Sequence, residues 1–549
     1  MPNPHDTYTS PLASRNASPE MCKIWSPRHK FTTWRKIWLA VAEAQQACGL
    51  DISDEQLDEM RSTLEVTDED MEAAAKYERE LRHDVMAHVH AWGDRCPKAR
   101  PIIHLGCTSQ DVVCNADYLV LRESIELIQS KAARAVISLS DFGEKHKALP
   151  TLGFTHYQPA QPTTVGRRAC QWASEIAPDI TFSTFVSKFA RGFRGATGTQ
   201  ASFLNLFEGD SRRVDRFEVF AILNMLPNSK ADWYVKNYLD DSFVENERDE
   251  YIEHARRVLE RPDLSEQERL KAQQEYDNLK SMSIDDYRAA EFDRVRRSKT
   301  FDLSGQTYPR VVDTRILSNL ASIASVLHKI ATDIRLLSNR KEIDEPFGKS
   351  QIGSSAMPYK RNPMKCERIC GLTRFVMNLV GNAYDTAATQ WLERTLDDSS
   401  NRRLSLPEAF LALDGALDLM HTVASGLIVN EAMVKRNLMA ELPFMATENI
   451  MMEAVKLGRD RQDVHEAIRV LSHEAGYAVK QEGKDNDLLE RLKSEPLLEG
   501  VDIDAHLDPM QYVGRSVEQT ERFMKEVVEP LRERYADQLE ALGSADRGV

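Results

Sequence analysis

A chain of 549 residues, 42% hydrophobic and 29% charged, is long enough for several domains and has neither a fibrous nor a disordered composition. Its 71 basic and 86 acidic residues leave a net charge of −15, which argues against bulk binding to nucleic acid or anionic membranes but allows a local basic pocket. No stretch reaches the roughly 18 apolar residues of a membrane span, the N-terminal residues lack the apolar core of a secretion signal, and the eight cysteines form no CxxC pair, so a cytosolic, cytoplasmic protein with reduced thiols is expected.

In FTTWRKIWLAVAEAQQACG, Trp34, Ile37, Trp38 and Val41 recur at helical spacing, and Gly49 provides a stop. Thr67 with Asp70 opens a second predicted helix, carrying Tyr77, Leu81, Val85 and Val89 on one side and ending near Gly93. Within it, RHDVMAHVH contains three histidines, but on a helix neither His83–His88 nor His88–His90 shares a face, and His83 and His90 stand roughly 10 Å apart. No metal is expected there; Arg82, His83 and Asp84 read as an anion-recognition cluster. Thr108 or Ser109 caps a long helix running towards Lys147, with Asp111 in its first turn.

TLGFTHYQPAQPTT reads as an irregular loop stiffened by prolines, in which His156 beside Thr155 is either a satisfied structural histidine or a group suited to proton transfer near neutral pH. From 241 to 300, 28 of 60 residues are charged, and this stretch reads as a polar helical insertion, either a solvated arm or hairpin at the surface or a binding arm for a partner. A further long helix is expected over about 310–339. Two more carry proline near their first turn: one after Asn362-Pro363, the other after Ser405-Leu406-Pro407-Glu408. Helices of this length suit an all-α bundle.

GSSAMPYKRNP, residues 353–363, breaks the helical pattern. Removing a proton from carbon beside a carboxylate puts a second negative charge on that carboxylate, and fixed donors and cations must meet it. Lys360 and Asn362 are suited to this task. Asn362 is also expected to cap the helix begun by Pro363, bringing the positive end of its dipole to the same charge. A glycine-led loop lets Ser354 reach the carbon and close over it.

GSSAMPYKRNPMKCE, with FTHYQPAQPTT, RHDVMAHVH, LGCTSQD and RTLDDSSNRR, resembles the adenylosuccinate lyase branch of the fumarase/aspartase superfamily, in matching order over most of residues 8–480. The resemblance implies a three-domain all-α fold with a central long-helix bundle forming a tetramer core, and active sites shared between subunits. The expected domains are 1–112, 113–429 with the charged insertion at about 213–304, and 430–549. It implies β-elimination of fumarate from adenylosuccinate and from succinylaminoimidazole carboxamide ribotide, with no cofactor and no metal. His156 matches the general acid, Ser354 the general base, and Lys360 and Asn362 the groups that stabilise the doubly charged carboxylate. Thr108 and Ser109 match carboxylate binders, and Arg82, His83, Asp84, Gln306 and Arg368 further substrate contacts. Arg15, Arg394, Ser399 and Arg403 match the nucleotide end and its phosphate; Asn16, counted with the substrate-binding residues, is a departure, standing where relatives often carry an aromatic residue. Alternatives are another fumarate-releasing lyase, such as argininosuccinate lyase, or a non-catalytic member of the fold; a phosphate-free substrate would not need the arginines of RTLDDSSNRR.

Overall fold

The computed structural model describes residues 6–186, 190–226, 231–348 and 350–543; the chain's first and last residues and part of the charged stretch, 227–230, lie outside these. Helix α1 (Pro27–Ala47) starts at a Ser26 cap and buries Trp34, Ile37, Trp38 and Val41 as its spacing predicts. The second expected helix is two. Helix α2 (Asp68–Leu81) has the Thr67/Asp70 capping box, but Arg82 turns into the left-handed region at φ 51° and ends it. His83 is extended, and its ring accepts the Met86 N–H at 3.4 Å, so it caps a new helix, α3 (Asp84–Arg95). Val85 and Val89 therefore lie on α3, and Leu81 is exposed.

Helix α4 (Ser109–Lys145) has the expected capping box between Thr108 and Asp111. The predicted irregular loop beyond it is instead a β-hairpin, β1 (Pro150–Thr155) with β2 (Gln158–Thr164), in which Thr155 pairs with Gln158. His156 and Tyr157 form its two-residue turn, both at positive φ (53° and 56°), which matches the right-handed twist of the strands. The prolines hid this hairpin because they obscure an alternating pattern.

Helix α5 (Val165–Val186) leads to α6 (Ser211–Met225) and then to α7 (Asp241–Leu259), α8 (Glu266–Ser281) and α9 (Ile284–Lys299). The insertion is only partly an arm. Helices α7 and α8 pair as a hairpin, and α8 buries Ala272 alone. By contrast, α9 packs on α6 and sends Tyr287, Phe292 and Val295 into the core that contains Trp34 and Trp38.

Helix α10 (Val311–Asn339) buries Ile316, Leu320, Ile323, Leu327, Ile330 and Ile334 along one stripe, each worth roughly 1.5–3 kcal/mol of transfer from water. Helix α11 (Met364–Ala388) does not have Asn362 as its cap. The Asn362 amide instead donates to Gly353 O at 2.8 Å, while the buried Glu345 carboxylate accepts the Lys365 and Cys366 N–H groups at 3.0 Å each. The dipole end expected to face substrate is therefore already met by Glu345. Helix α12 (Asp397–Gly426) begins ten residues before the expected start, with Asp397 and Asp398 in its first turn and Pro407 inside it. A proline there forfeits one backbone hydrogen bond, but burial of Leu406, Ala409, Phe410 and Leu413 holds the helix through it. Helices α13 (Glu431–Lys456) and α14 (Arg461–Glu482) anchor a separate C-terminal core around Ile450, Val464 and Leu488.

Helices α4, α5, α10, α11 and α12 form the central bundle. Arg402 pairs with Asp117 near the starts of α12 and α4, and Lys131 with Asp414 further along both, so these two run parallel. Trp172 meets Asp333 and Asp179 meets Ser322, so α5 opposes α10; Ser318 meets Tyr384 and Thr332 meets Cys370, so α11 opposes it as well. The bundle therefore has a first end, where α4, α10 and α12 begin, and a second end, which carries the hairpin and residues 340–363.

Candidate functional site

The first end gathers many of the expected binding residues. His83 Nε2 lies 3.4 Å from Ser109 Oγ, and Asp84 meets Arg403 Nη2 at 3.2 Å. Arg394 Nη1 donates to Gln306 Oε1 at 3.0 Å, and Gln306 Nε2 to Ala196 O at 3.0 Å. Arg394 also approaches Asp398, which is paired with the buried Arg310. Ser399 follows on the same turn of α12. Arg82, the residue that breaks the helix, is exposed beside this group.

Arg402, adjacent to Arg403, points inward instead. Its guanidinium bonds Asp313 and Asp117 at 2.6 and 2.9 Å and also reaches Tyr308 Oη. RTLDDSSNRR thus divides by helical position: Arg403 faces solvent and Arg402 holds α12 to α4 and α10.

The second end carries the residues expected to perform chemistry, His156, Ser354, Lys360 and Asn362. His156 is exposed at the hairpin tip, and Arg340 stacks on Phe154 of β1 with its guanidinium carbon 4.7 Å from the ring centroid. Residues 353–363 form a loop closed on itself. Ser354 Oγ accepts the Met357 N–H at 3.1 Å, and Lys360 N donates to Met357 O. A Cβ at Gly353 would stand 2.2 Å from Lys360 O, so only glycine permits the two limbs to approach. Lys360 is exposed, and Ser354 and Asn362 are half-buried.

Arg15 and Arg368 form a third group. Burial, and then the charge of Arg15, lower the Arg368 pKa. The Asn16 amide donates to Pro11 O, and its backbone carbonyl packs against Gly415.

The first and second ends do not meet within one chain. Helix α4, 37 residues long, runs from Thr108 to the base of the hairpin, a span of roughly 55 Å.

Sequence reasoning missed the full part of three residues. Lys30 extends over the Phe31 and Trp34 rings, 5.1 Å from each, in the field of Asp117, Arg403 and Asp84, and burial lowers its pKa. Its signal was a lone lysine on the aromatic face of α1. Asp111 was read as a dipole partner only, and it also organises a loop 80 residues away through Arg191. Glu345 showed no local signal, because its hydrogen-bond partners lie 20 and 21 residues further along the chain. The three histidines of RHDVMAHVH go separate ways: His83 caps α3, His88 stacks on Phe31 with centroids 3.7 Å apart, and His90 stacks on Tyr77. Among the described residues no group of three His, Cys, Asp or Glu side chains is disposed to hold a metal, and no helix is long and apolar enough to cross a membrane.

The family described as "Lyase" matches residues 15–203 and 287–378, and that described as "Adenylosuccinate lyase C-terminus" matches 443–523. Adenylosuccinate lyase of Schizosaccharomyces pombe is 42% identical over 529 residues, covering 95% of each chain, and that of Saccharomyces cerevisiae is equally similar. Among solved structures, 3-carboxy-cis,cis-muconate lactonizing enzyme from Pseudomonas putida aligns over 96% of this chain and 99% of its own, with TM-score 0.68 at 20% identity. Fumarate lyase from Mesorhizobium sp. BNC1 aligns over 95% of this chain and 100% of its own, with TM-score 0.68 at 18% identity. The structural likeness fixes the all-α fold, and 42% identity to the two yeast enzymes over nearly the whole of both sequences shows that this chain belongs to the adenylosuccinate lyase family.

Proposed function

We propose that this chain is a carbon–nitrogen lyase that eliminates fumarate from adenylosuccinate to leave AMP, and from succinylaminoimidazole carboxamide ribotide to leave the carboxamide ribotide. The observation that carries this reading is the closed loop at 353–363 in a chain of this family. Ser354 removes the carbon-bound proton of the succinyl arm. The Met357 N–H directed at Ser354 Oγ favours the ionised hydroxyl, which supplies part of the activation a serine base needs. Lys360 and Asn362 receive the second charge that builds on the carboxylate, and Asn362 is held for this by Gly353 O. His156 protonates the leaving nitrogen. Thr108, Ser109, His83 and Gln306 hold the carboxylates, while Arg15, Arg368, Arg394, Ser399 and Arg403 hold the nucleotide and its phosphate.

The roughly 55 Å between the two ends supports sites built from different chains of a homotetramer, with the first end of one protomer facing the second end of others. Phe375 and Tyr384 on α11, exposed in the single chain, suit burial in such an assembly. The test is fumarate release by the purified protein on adenylosuccinate, on the carboxamide ribotide substrate and on argininosuccinate. Turnover of the first two alone is expected, and turnover of argininosuccinate alone would overturn the reading.

A further inference from the structure

Three segments of the first end, Thr108–Ser109, residues 190–196 and Gly305–Gln306, are distant in sequence and meet at one buried ion pair. Asp111 and Arg191 are both fully buried, with Arg191 Nη1 2.5 Å from Asp111 Oδ1. Asp111 Oδ2 accepts the Thr108 N–H at 2.8 Å, fixing the start of α4. Asp111 Oδ1 also accepts the Arg194 and Gly195 N–H groups at 2.8 and 3.0 Å, so the loop wraps around the carboxylate. From the other side, Arg191 Nη2 donates to Gly195 O at 2.7 Å and to Gly305 O at 3.1 Å. Asn115, one turn along α4, holds Gly192 through both its N–H and its C=O. A Cβ at Gly198 would stand 1.9 Å from Ser304 O, so the loop and the 304–306 segment touch backbone to backbone.

We propose that Asp111 and Arg191 are positioning residues for the lyase reaction, setting Thr108, Ser109 and Gln306 at the mutual spacing that grips the succinyl carboxylates. Neither touches substrate. Gln306 is the outlet of the device: its backbone follows the carbonyl that Arg191 grips, its amide bonds Ala196 O in the loop, and its carbonyl oxygen accepts from Arg394. A planar guanidinium is required, because one group must reach a carboxylate and two carbonyls at once. A lysine keeps the charge but not the fork.

This inference rests on the reading that Ser109 and Gln306 bind substrate. The experiment compares Arg191→Lys, Asp111→Asn, Ser109→Ala, Gln306→Ala and the Arg191→Lys/Gln306→Ala double variant in the full-length protein, measuring kcat, KM for adenylosuccinate, melting temperature and oligomeric state. Arg191→Lys is expected to raise KM about tenfold, leaving kcat within a few-fold, and to add little once Gln306 is already alanine, as coupled neighbours do. An unchanged KM in Arg191→Lys, or an effect fully additive with Gln306→Ala, overturns the positioning role. Unchanged KM in both Ser109→Ala and Gln306→Ala overturns the binding reading instead. If Arg191→Lys does not fold, Asp111→Asn, which keeps the Oδ1 acceptor, reads the same quantity; failure of both to fold assigns the pair to stability alone and also overturns the proposal.

Discussion

The two ends of the bundle are built on opposite principles. At the first end the site segments hang from buried charges, Asp111 with Arg191, Asp398 with Arg310 and Asp313 with Arg402, the last also reaching the half-buried Asp117. At the second end the residues proposed for chemistry sit on an exposed hairpin tip and on a loop closed mainly by its own hydrogen bonds. Buried pairs in a low-dielectric interior fix geometry tightly, because breaking one leaves an uncompensated charge. An exposed loop has no such constraint and is able to close over a ligand. On the proposed reading, the binding groups are held rigidly and the reactive groups are left free to approach.

The largest test of this contrast is at the second end. Ser354→Ala and His156→Ala should each lower kcat by about a thousandfold or more while leaving the melting temperature unchanged, since each side chain is at most half-buried and neither belongs to a core. A melting point lowered along with activity would break the comparison. If the two ends come from different protomers, mixing Ser354→Ala with Arg403→Ala chains should restore measurable turnover that neither has alone. No recovery after demonstrated subunit exchange would refute shared sites.

The converse substitution belongs to the first end. Arg402→Leu strands Asp313 and Asp117 and should cost about 3–5 kcal/mol in denaturant unfolding; a loss under 1 kcal/mol would show that these charges do not hold the end together.

A smaller effect comes from pH. Burial pushes His88, His104 and His421 down to about 4 from the ordinary 6.5. The unfolded chain therefore takes up protons before the folded one as pH falls, so their stability contribution is complete above 6.5 and drains away between 6.5 and 4. His421→Gln should flatten that slope in thermal melts, and an unaltered slope would discount His421. The smallest effect lies in the insertion: Leu270→Ser on exposed α8 should change stability by less than about 0.5 kcal/mol, whereas Phe292→Ala on α9 should cost about 3–5 kcal/mol.

Much of the architecture was legible because helical spacing is local. Trp34 to Val41, the Thr108/Asp111 box and the stripe along α10 each declare themselves within a few turns. The errors fell where backbone conformation or distant partners decide. Arg82 has no glycine to mark its left-handed turn, so α2 and α3 read as one helix. Pro407 looked like a helix start, but core burial carries α12 across it. The proline-rich text around His156 masked a hairpin whose turn requires two residues at positive φ. The cap of α11 came from Glu345 rather than from the adjacent Asn362, since the better-placed acceptor prevailed over the nearer one.

Of the candidate site, residue types and their order along the chain were readable, because proton transfer and charge stabilisation need particular side chains in short, irregular motifs. Their spatial sorting was not. That Arg402 turns inward and Arg403 outward, that Asp111 reaches Arg191, and that Ser109 and His156 stand at opposite ends of one 37-residue helix follow from helix packing and direction. Periodicity by itself determined which residues form helices and which motifs interrupt them; only the tertiary structure decided which motifs meet, because burial and long-range pairing depend on neighbours that sequence distance does not reveal.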